Sequence, residues 1–426
     1  MDVVTDSARQ FSRDDYFRDP QKYFARLRGE QPVAPLGRPG GRREWLVTRY
    51  EDVRAGLADP RLAKDPRRQF PDWEPSPMQA MFNLHMLNLD PPDHTRLRRL
   101  VQKAFTPGRV SALRPRVEEI ATALLDATEA IAARSEDGVV DLLDLFAFRL
   151  PITVICELLG IPVHDQDVFR MWTSALLTSD EIPQEGSEGD RSQHAAQAMF
   201  DYFTRLIAAK RESPGEDLLS ALVGVRDGAG PGNGASPGNG AGSSEDALSE
   251  GELYAMVFLL LIAGFETTVN LIASGTLALL TFPAELGRLR ADPSLLPAAV
   301  EELLRYSNPL NHATERFTLE DVSIAGVVIP AGEWVTLVTS SANWDPQRFD
   351  DPGRLDLSRD ATGHVAFGHG IHHCLGAPLA RLEGEVAFGS LLPRFPRLSL
   401  AVPPERLRWR SSSLFHGLAS LPVKLG

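Results

Sequence analysis

The chain's two cysteines, Cys156 and Cys374, stand in different company. Cys156 lies inside the apolar run PITVICELL, the usual setting of a cysteine acting as a small buried hydrophobe. Cys374 lies in AFGHGIHHCLGA, Ala366 to Ala377, crowded by Gly368, Gly370, Gly376, His372 and His373. Leu375, Leu379, Leu382 and Val386 follow at spacings of 4, 3 and 4, which is one face of a helix. The pattern predicts Cys374 at a helix N-terminus, where the dipole and free N–H groups favour a thiolate. The glycines allow positive φ or the close approach of a flat cofactor, and Phe367 is placed to shield the sulfur from water.

Three further clusters could do chemistry. Ala263-Gly264-Phe265-Glu266-Thr267-Thr268 interrupts an apolar helical run. Glycine and threonine weaken helix bonding locally and permit a bulge or an inserted water, and an acid beside a hydroxyl can pass protons. Glu302-Leu303-Leu304-Arg305 puts opposite charges on one helix face; alone it would read as a surface ion pair. His94 and Arg98 of HTRLR share a helix face at i,i+4 and suit a carboxylate.

Phe367, Gly370, Cys374 and Gly376 fill the pattern F-x-x-G-x-x-x-C-x-G, which resembles the haem-binding signature of the cytochrome P-450 family. The other motifs follow the family's order from His94 to Gly376, with weaker similarity as far as the C-terminal GLASLPV. The resemblance implies a mainly α fold with small β-sheets, one domain over residues 1–426, and haem b between the helix carrying Glu266 and the cysteine loop. Cys374 is then the metal ligand, a cysteinate that pushes electron density toward O–O cleavage. Glu266 and Thr267 are the implied catalytic pair, delivering protons to dioxygen. His94, Arg98, Arg316 and His372 are implied propionate contacts, and Phe367, Gly368 and Gly376 complete the cofactor-binding set. Glu302 and Arg305, with Arg354 of DPGRLDL, are implied to form a structural triad that holds the cysteine loop.

The implied reaction inserts one oxygen atom into a largely apolar small molecule. The motif wording is most similar to relatives that tailor polyketides, macrolides or peptides in antibiotic and other secondary metabolism. Electrons are expected from NAD(P)H through an external ferredoxin and its reductase, with the basic face of Arg96, Arg99 and Lys103 as the docking surface. Pocket positions carried over are Phe82, Leu84 and Met86 before the HTRLR helix, then Leu177, Phe258 and Ala263. Leu310 and Asn311, and Leu414 and Phe415 near the C-terminus, complete that set. Competing readings are a catalytically silent or sensing haem-thiolate protein and a peroxide-driven oxygenase; the intact Glu266–Thr267 pair weighs against both. Trp344 in NWDP and His416 in FHG stand where relatives usually carry arginine.

The elements that must position these groups are mostly helical. Apolar spacing predicts helices over Val110–Ala133, Met199–Arg211, Leu253–Leu280 and Leu295–Tyr306. Short strands are expected over Glu44–Thr48, Val322–Ile329 and Trp334–Thr339. Asp227 to Ser244, which repeats PGNGA, lacks large apolar residues and reads as a flexible loop. With 426 residues, 43% of them hydrophobic, a core able to enclose a cofactor is easily built. The net charge of −13 argues against nucleic acid or an anionic membrane as the main partner. The apolar run Leu253 to Phe265 falls short of the roughly 20 residues of a spanning helix, so no membrane insertion is expected. A polar N-terminus and the absence of a cysteine framework point to the cytoplasm.

Overall fold

The computed structural model describes residues 13–37, 43–102, 105–177, 188–226 and 247–426. The glycine-rich segment 227–244 and Lys103 therefore lie outside the described residues. The chain divides into two units, one of Met1–Ala63, Ser111–Leu150 and Glu266–Gly426, the other of Lys64–Val110 and Pro151–Phe265.

In the first unit a five-stranded sheet runs in the order Val33–Gly37, Arg43–Val47, Trp334–Leu337, Arg316–Thr318 and Leu62–Ala63. Val33 faces Val47 in an antiparallel pair, and Glu44 faces Trp334 in a parallel one. Val33, Val47, Leu57, Leu62, Val335 and Leu337 cluster around this sheet. The single strand expected over Val322–Ile329 is instead a hairpin, Val322–Ile324 against Val327–Ile329. Ala325 and Gly326 turn it with φ of 49° and 79°, a reversal that apolar spacing alone does not reveal. A third sheet, which the sequence reading missed, pairs Pro422–Lys424 with Val139–Asp141 and Ser399–Leu400.

Helices Leu296–Tyr306 and Ala377–Arg394 share a core with the second half of the long helix Glu250–Thr281, built from Leu271, Leu279, Val300, Leu303, Phe388 and Leu392. Burying each such side chain contributes about 1.5–3 kcal/mol. A Cβ on Gly275 would sit 2.7 Å from the Phe388 ring, so only glycine lets these helices approach here.

The second unit packs Gln166–Leu177 against Glu188–Glu212, with Phe169 stacked on Phe203 at 6.3 Å. Helix Asp93–Gln102 turns Leu97 and Val101 fully inward.

The long helix begins with a reciprocal cap: the Ser249 hydroxyl accepts from Glu252 N–H at 3.2 Å, and the Glu252 carboxylate accepts from Ser249 N–H at 2.8 Å. It then runs unbroken for 32 residues through AGFETT, so the bulge the motif permits does not form. One glycine costs only about 1 kcal/mol in a helix. Gly264 instead admits Ile155, whose side chain would lie 2.8 Å from an added Cβ. By length and composition this helix could cross a membrane, but 72% of its most apolar window is buried within the protein, the mark of a core helix.

Candidate functional site

Cys374 is exposed and takes part in no disulfide. It follows the 3-10 turn Gly370–His372 and precedes the helix that starts at Ala377. Its N–H donates to the Phe367 carbonyl at 2.9 Å, which closes the loop on itself. Gly368 and Gly370 carry positive φ, 70° and 75°, as the glycine pattern predicted. Gly370 has a second reason to lack a side chain, because an added Cβ would lie 3.0 Å from the Leu57 carbonyl. Gly376 has an ordinary φ of −80°, and an added Cβ would meet the Cys374 sulfur only in ordinary contact at 3.9 Å, so neither backbone nor space requires glycine there. Leu379, Leu382 and Val386 are buried as spaced, whereas Leu375 lies in the turn before the helix.

Behind the loop, Glu302 and Arg305 form a completely buried forked pair with contacts of 2.7 and 2.8 Å. Arg305 continues to the carbonyls of Asn343 and Pro352, at 2.9 and 3.0 Å. The third member is not Arg354. Arg354 lies in a tight turn with its side chain exposed and contributes only its carbonyl, which accepts from Arg359 at 3.3 Å. Arg359, five residues on, brings Nε to Glu302 Oε1 at 3.2 Å. Trp344 donates its indole N–H to the Tyr306 carbonyl at 2.9 Å and packs on that ring, and His416 stacks on Trp409 at 4.4 Å. Both departures from the arginine pattern are thus filled by aromatic packing.

On the long helix, Glu266 and Thr268 are buried while Thr267 is half-exposed and Ala263, one turn earlier, is exposed. An open small-residue patch on an otherwise buried apolar helix suits a flat ligand or a small molecule. Glu266 is not alone: Arg410 Nη1 donates to its Oε2 at 2.8 Å. Sequence reading missed Arg410, which lies 144 positions away in a segment with no helical or strand pattern.

Arg316 is buried on its strand and reaches the Leu62 carbonyl at 3.4 Å, and His372 lies half-buried in the turn before Cys374. His94 is buried and Arg98 half-buried on the helix Asp93–Gln102 in the second unit. Arg96 on that helix is occupied inside its own unit by Glu252 and by the Ala247 carbonyl, the latter at 2.8 Å.

Of the pocket positions, the first unit brings four together. Leu310 and Phe415 form a β-bridge, and Asn311 N–H donates to the Leu414 carbonyl at 2.8 Å. In the second unit, Phe82 and Phe258 meet edge to face at 4.7 Å. Met86 is buried nearby in sequence, and Leu84 and Leu177 are half-buried.

No group of three or more His, Cys, Asp or Glu that could hold a metal ion occurs among the described residues. Haem iron, already held by its porphyrin, would need only a soft donor from the chain, and an exposed cysteine in a glycine-shaped loop fits that need.

A family model described as "Cytochrome P450" matches residues 19–418. The chain is 50% identical to "Cytochrome P450 107B1" of Saccharopolyspora erythraea, over 97% of this chain and 96% of that one. It is 43% identical to the "6-deoxyerythronolide B hydroxylase" of the same organism, over 97% of each. Among solved structures, the tirandamycin C-bound P450 monooxygenase TamI superposes with a TM-score of 0.84 at 46% identity, over 97% of this chain and 99% of that one.

Proposed function

The chain belongs to the cytochrome P450 family of monooxygenases, and on that premise we propose that it oxygenates a largely apolar polyketide, macrolide or peptide natural product, with Cys374 as the haem thiolate. The observation that carries the thiolate assignment is the glycine-shaped loop that presents an exposed Cys374 ahead of a helix. Support for the substrate class comes from two relatives whose names state a 6-deoxyerythronolide and a tirandamycin ligand. Apolar contacts within each unit, Phe82 on Phe258 in one and Leu310 beside Phe415 in the other, agree with it.

When bound, the haem supplies reductive activation of dioxygen. The chain's own residues supply the rest. Phe367 would help to shield the Cys374 sulfur, which is exposed here, once the haem covers it. Arg316 and His372 in the first unit would contact the cofactor's carboxylates, the role that the family's motif also assigns to His94 and Arg98. The Thr267 hydroxyl, half-exposed on the helix, holds a water at the substrate side. Glu266 passes protons to that water through Oε1, because Oε2 is engaged by Arg410. The burial of Glu266 alone does not argue for this role, since the Arg410 pair already accounts for a buried carboxylate. The role rests on the adjacency of acid and hydroxyl on one helix. A ferredoxin with its reductase is the proposed source of electrons.

The test is product formation from a panel of macrolactones, linear polyketides and cyclic peptides with ferredoxin, reductase and NADPH. Oxygenated product with a macrolactone or linear polyketide is the expected result. Product with peroxide alone, or tight binding without turnover, would support the peroxide-driven or silent reading instead.

A further inference from the structure

Behind the cysteine loop, Arg381, Glu301 and His364, which the reaction scheme leaves unused, form a closed set with Phe367. The Arg381 guanidinium lies 4.7 Å above the Phe367 ring. It forks onto Glu301 with contacts of 2.6 and 2.9 Å. Glu301 Oε2 also meets His364 Nε2 at 3.2 Å, while His364 Nδ1 accepts the Ala366 N–H at 3.2 Å. That acceptor role leaves the ring proton on Nε2, so His364 donates to Glu301. The set ties helix Leu296–Tyr306, through Glu301, to helix Ala377–Arg394, through Arg381, and to the loop, through His364 and Phe367. Phe367 in turn accepts the Cys374 N–H.

We propose that the Glu301–Arg381 pair is a charge device that sets how strongly the Cys374 sulfur donates to the bound iron, with Arg381 pulling electron density toward the protein and Glu301 opposing it. Arg381 is a positioning residue: it acts through Phe367 and through its field, not by contact with substrate. The two charges differ in their relation to the sulfur. Arg381 sits over the Phe367 ring and feels the charge of Cys374, whereas Glu301 is held by Arg381 and His364 and reaches that ring only through them. Reduction of the iron adds negative charge to the centre, so a nearby cation favours the reduced state and an anion the oxidised state. Burial pushes the Glu301 carboxyl up, but Arg381 and His364 outweigh that and hold it at about 2, so the opposing charge is present throughout the neutral range.

This inference rests on the haem-thiolate reading. The experiment measures the haem midpoint potential and the iron–sulfur stretching frequency of the substrate-free holoprotein in Arg381→Gln, Glu301→Gln, Arg381→Lys and the Glu301→Gln, Arg381→Gln double variant. Arg381→Gln should shift the potential negative and raise the stretching frequency. Glu301→Gln should shift both the opposite way. Arg381→Lys should fall nearer the parent than Arg381→Gln does. The double variant removes both charges together and should also stay nearer the parent; if either single variant fails to take up haem, it and the remaining single variant decide the sign. A purely structural role predicts shifts of the same sign from both single variants, and that result, or no shift at all, overturns the proposal. Failure of the underlying reading is distinct: the parent protein itself would then lack the thiolate-type carbon monoxide band.

Discussion

Arg410 and Glu266 form an ion pair at 2.8 Å that joins the C-terminal segment to the long helix, with their side chains 20% and 6% exposed. Removing one partner leaves the other buried and unpaired, which typically costs about 3–5 kcal/mol. Arg410→Leu should therefore lower stability markedly, and adding Glu266→Gln should recover part of the loss. Denaturant unfolding of the two single variants and the double variant measures the coupling; strictly additive effects would show that the pair contributes nothing.

Proton delivery makes a separate prediction. Thr267→Ala should bind substrate and accept electrons but release more peroxide and less oxygenated product per NADPH consumed. Glu266→Gln should slow turnover, since a positioned proton donor contributes about two to four orders of magnitude in rate. Stoichiometry of NADPH, peroxide and product is the check. Unaltered rate and coupling in both variants would reduce the motif to a site of close helix packing.

Arg359 and Arg354 should behave in opposite ways. Arg359→Ala removes a charge-assisted bond to Glu302 and should cost about 1–3 kcal/mol, with weaker haem retention. Arg354→Ala removes only an exposed side chain and should leave stability within about 0.5 kcal/mol. The reverse ranking in thermal unfolding would restore the expectation from sequence.

That contrast shows what the sequence could convey. The cysteine loop, the EELLR helix and AGFETT are local patterns whose chemistry depends on neighbours within a few residues, and those are legible one position at a time. Arg354 and Arg359 both lie in the same meander, and nothing local distinguishes the one turned outward by its tight turn from the one turned inward. Arg410 and Glu252 are harder still, because their partners Glu266 and Arg96 lie 144 and 156 positions away. The hairpin at Ala325–Gly326 was lost for a different reason: its strands are too short for alternation to separate them.

Two buried imidazoles make acid stability a further test. Burial pushes His416 down to about 4, outweighing the help of the Arg18 backbone and Asp19. Burial, aided by the charge of Lys64, takes His85 to about 3. Both start from an ordinary value of 6.5, so the unfolded chain binds protons below that value while the folded chain does not. Their contribution is present above pH 6.5 and is lost as pH falls toward 4, with a slope approaching about 1.4 kcal/mol per pH unit for each group. Phenylalanine at either position should flatten the fall in unfolding free energy between pH 6.5 and 5. An unchanged slope would mean that the imidazole is already protonated in the folded protein.

Cys374, and not Cys156, is the cysteine expected to ligate the haem. Burial pushes the Cys156 thiol up to about 12, with Asp165 and Glu157 adding to the shift, which suits an inert core residue. The direct measurement is the absorption spectrum of the reduced, carbon monoxide-bound protein. The parent and Cys156→Ser should show the strongly red-shifted Soret band of thiolate ligation, and Cys374→Ser should lose it; an intact thiolate band in Cys374→Ser would contradict the account.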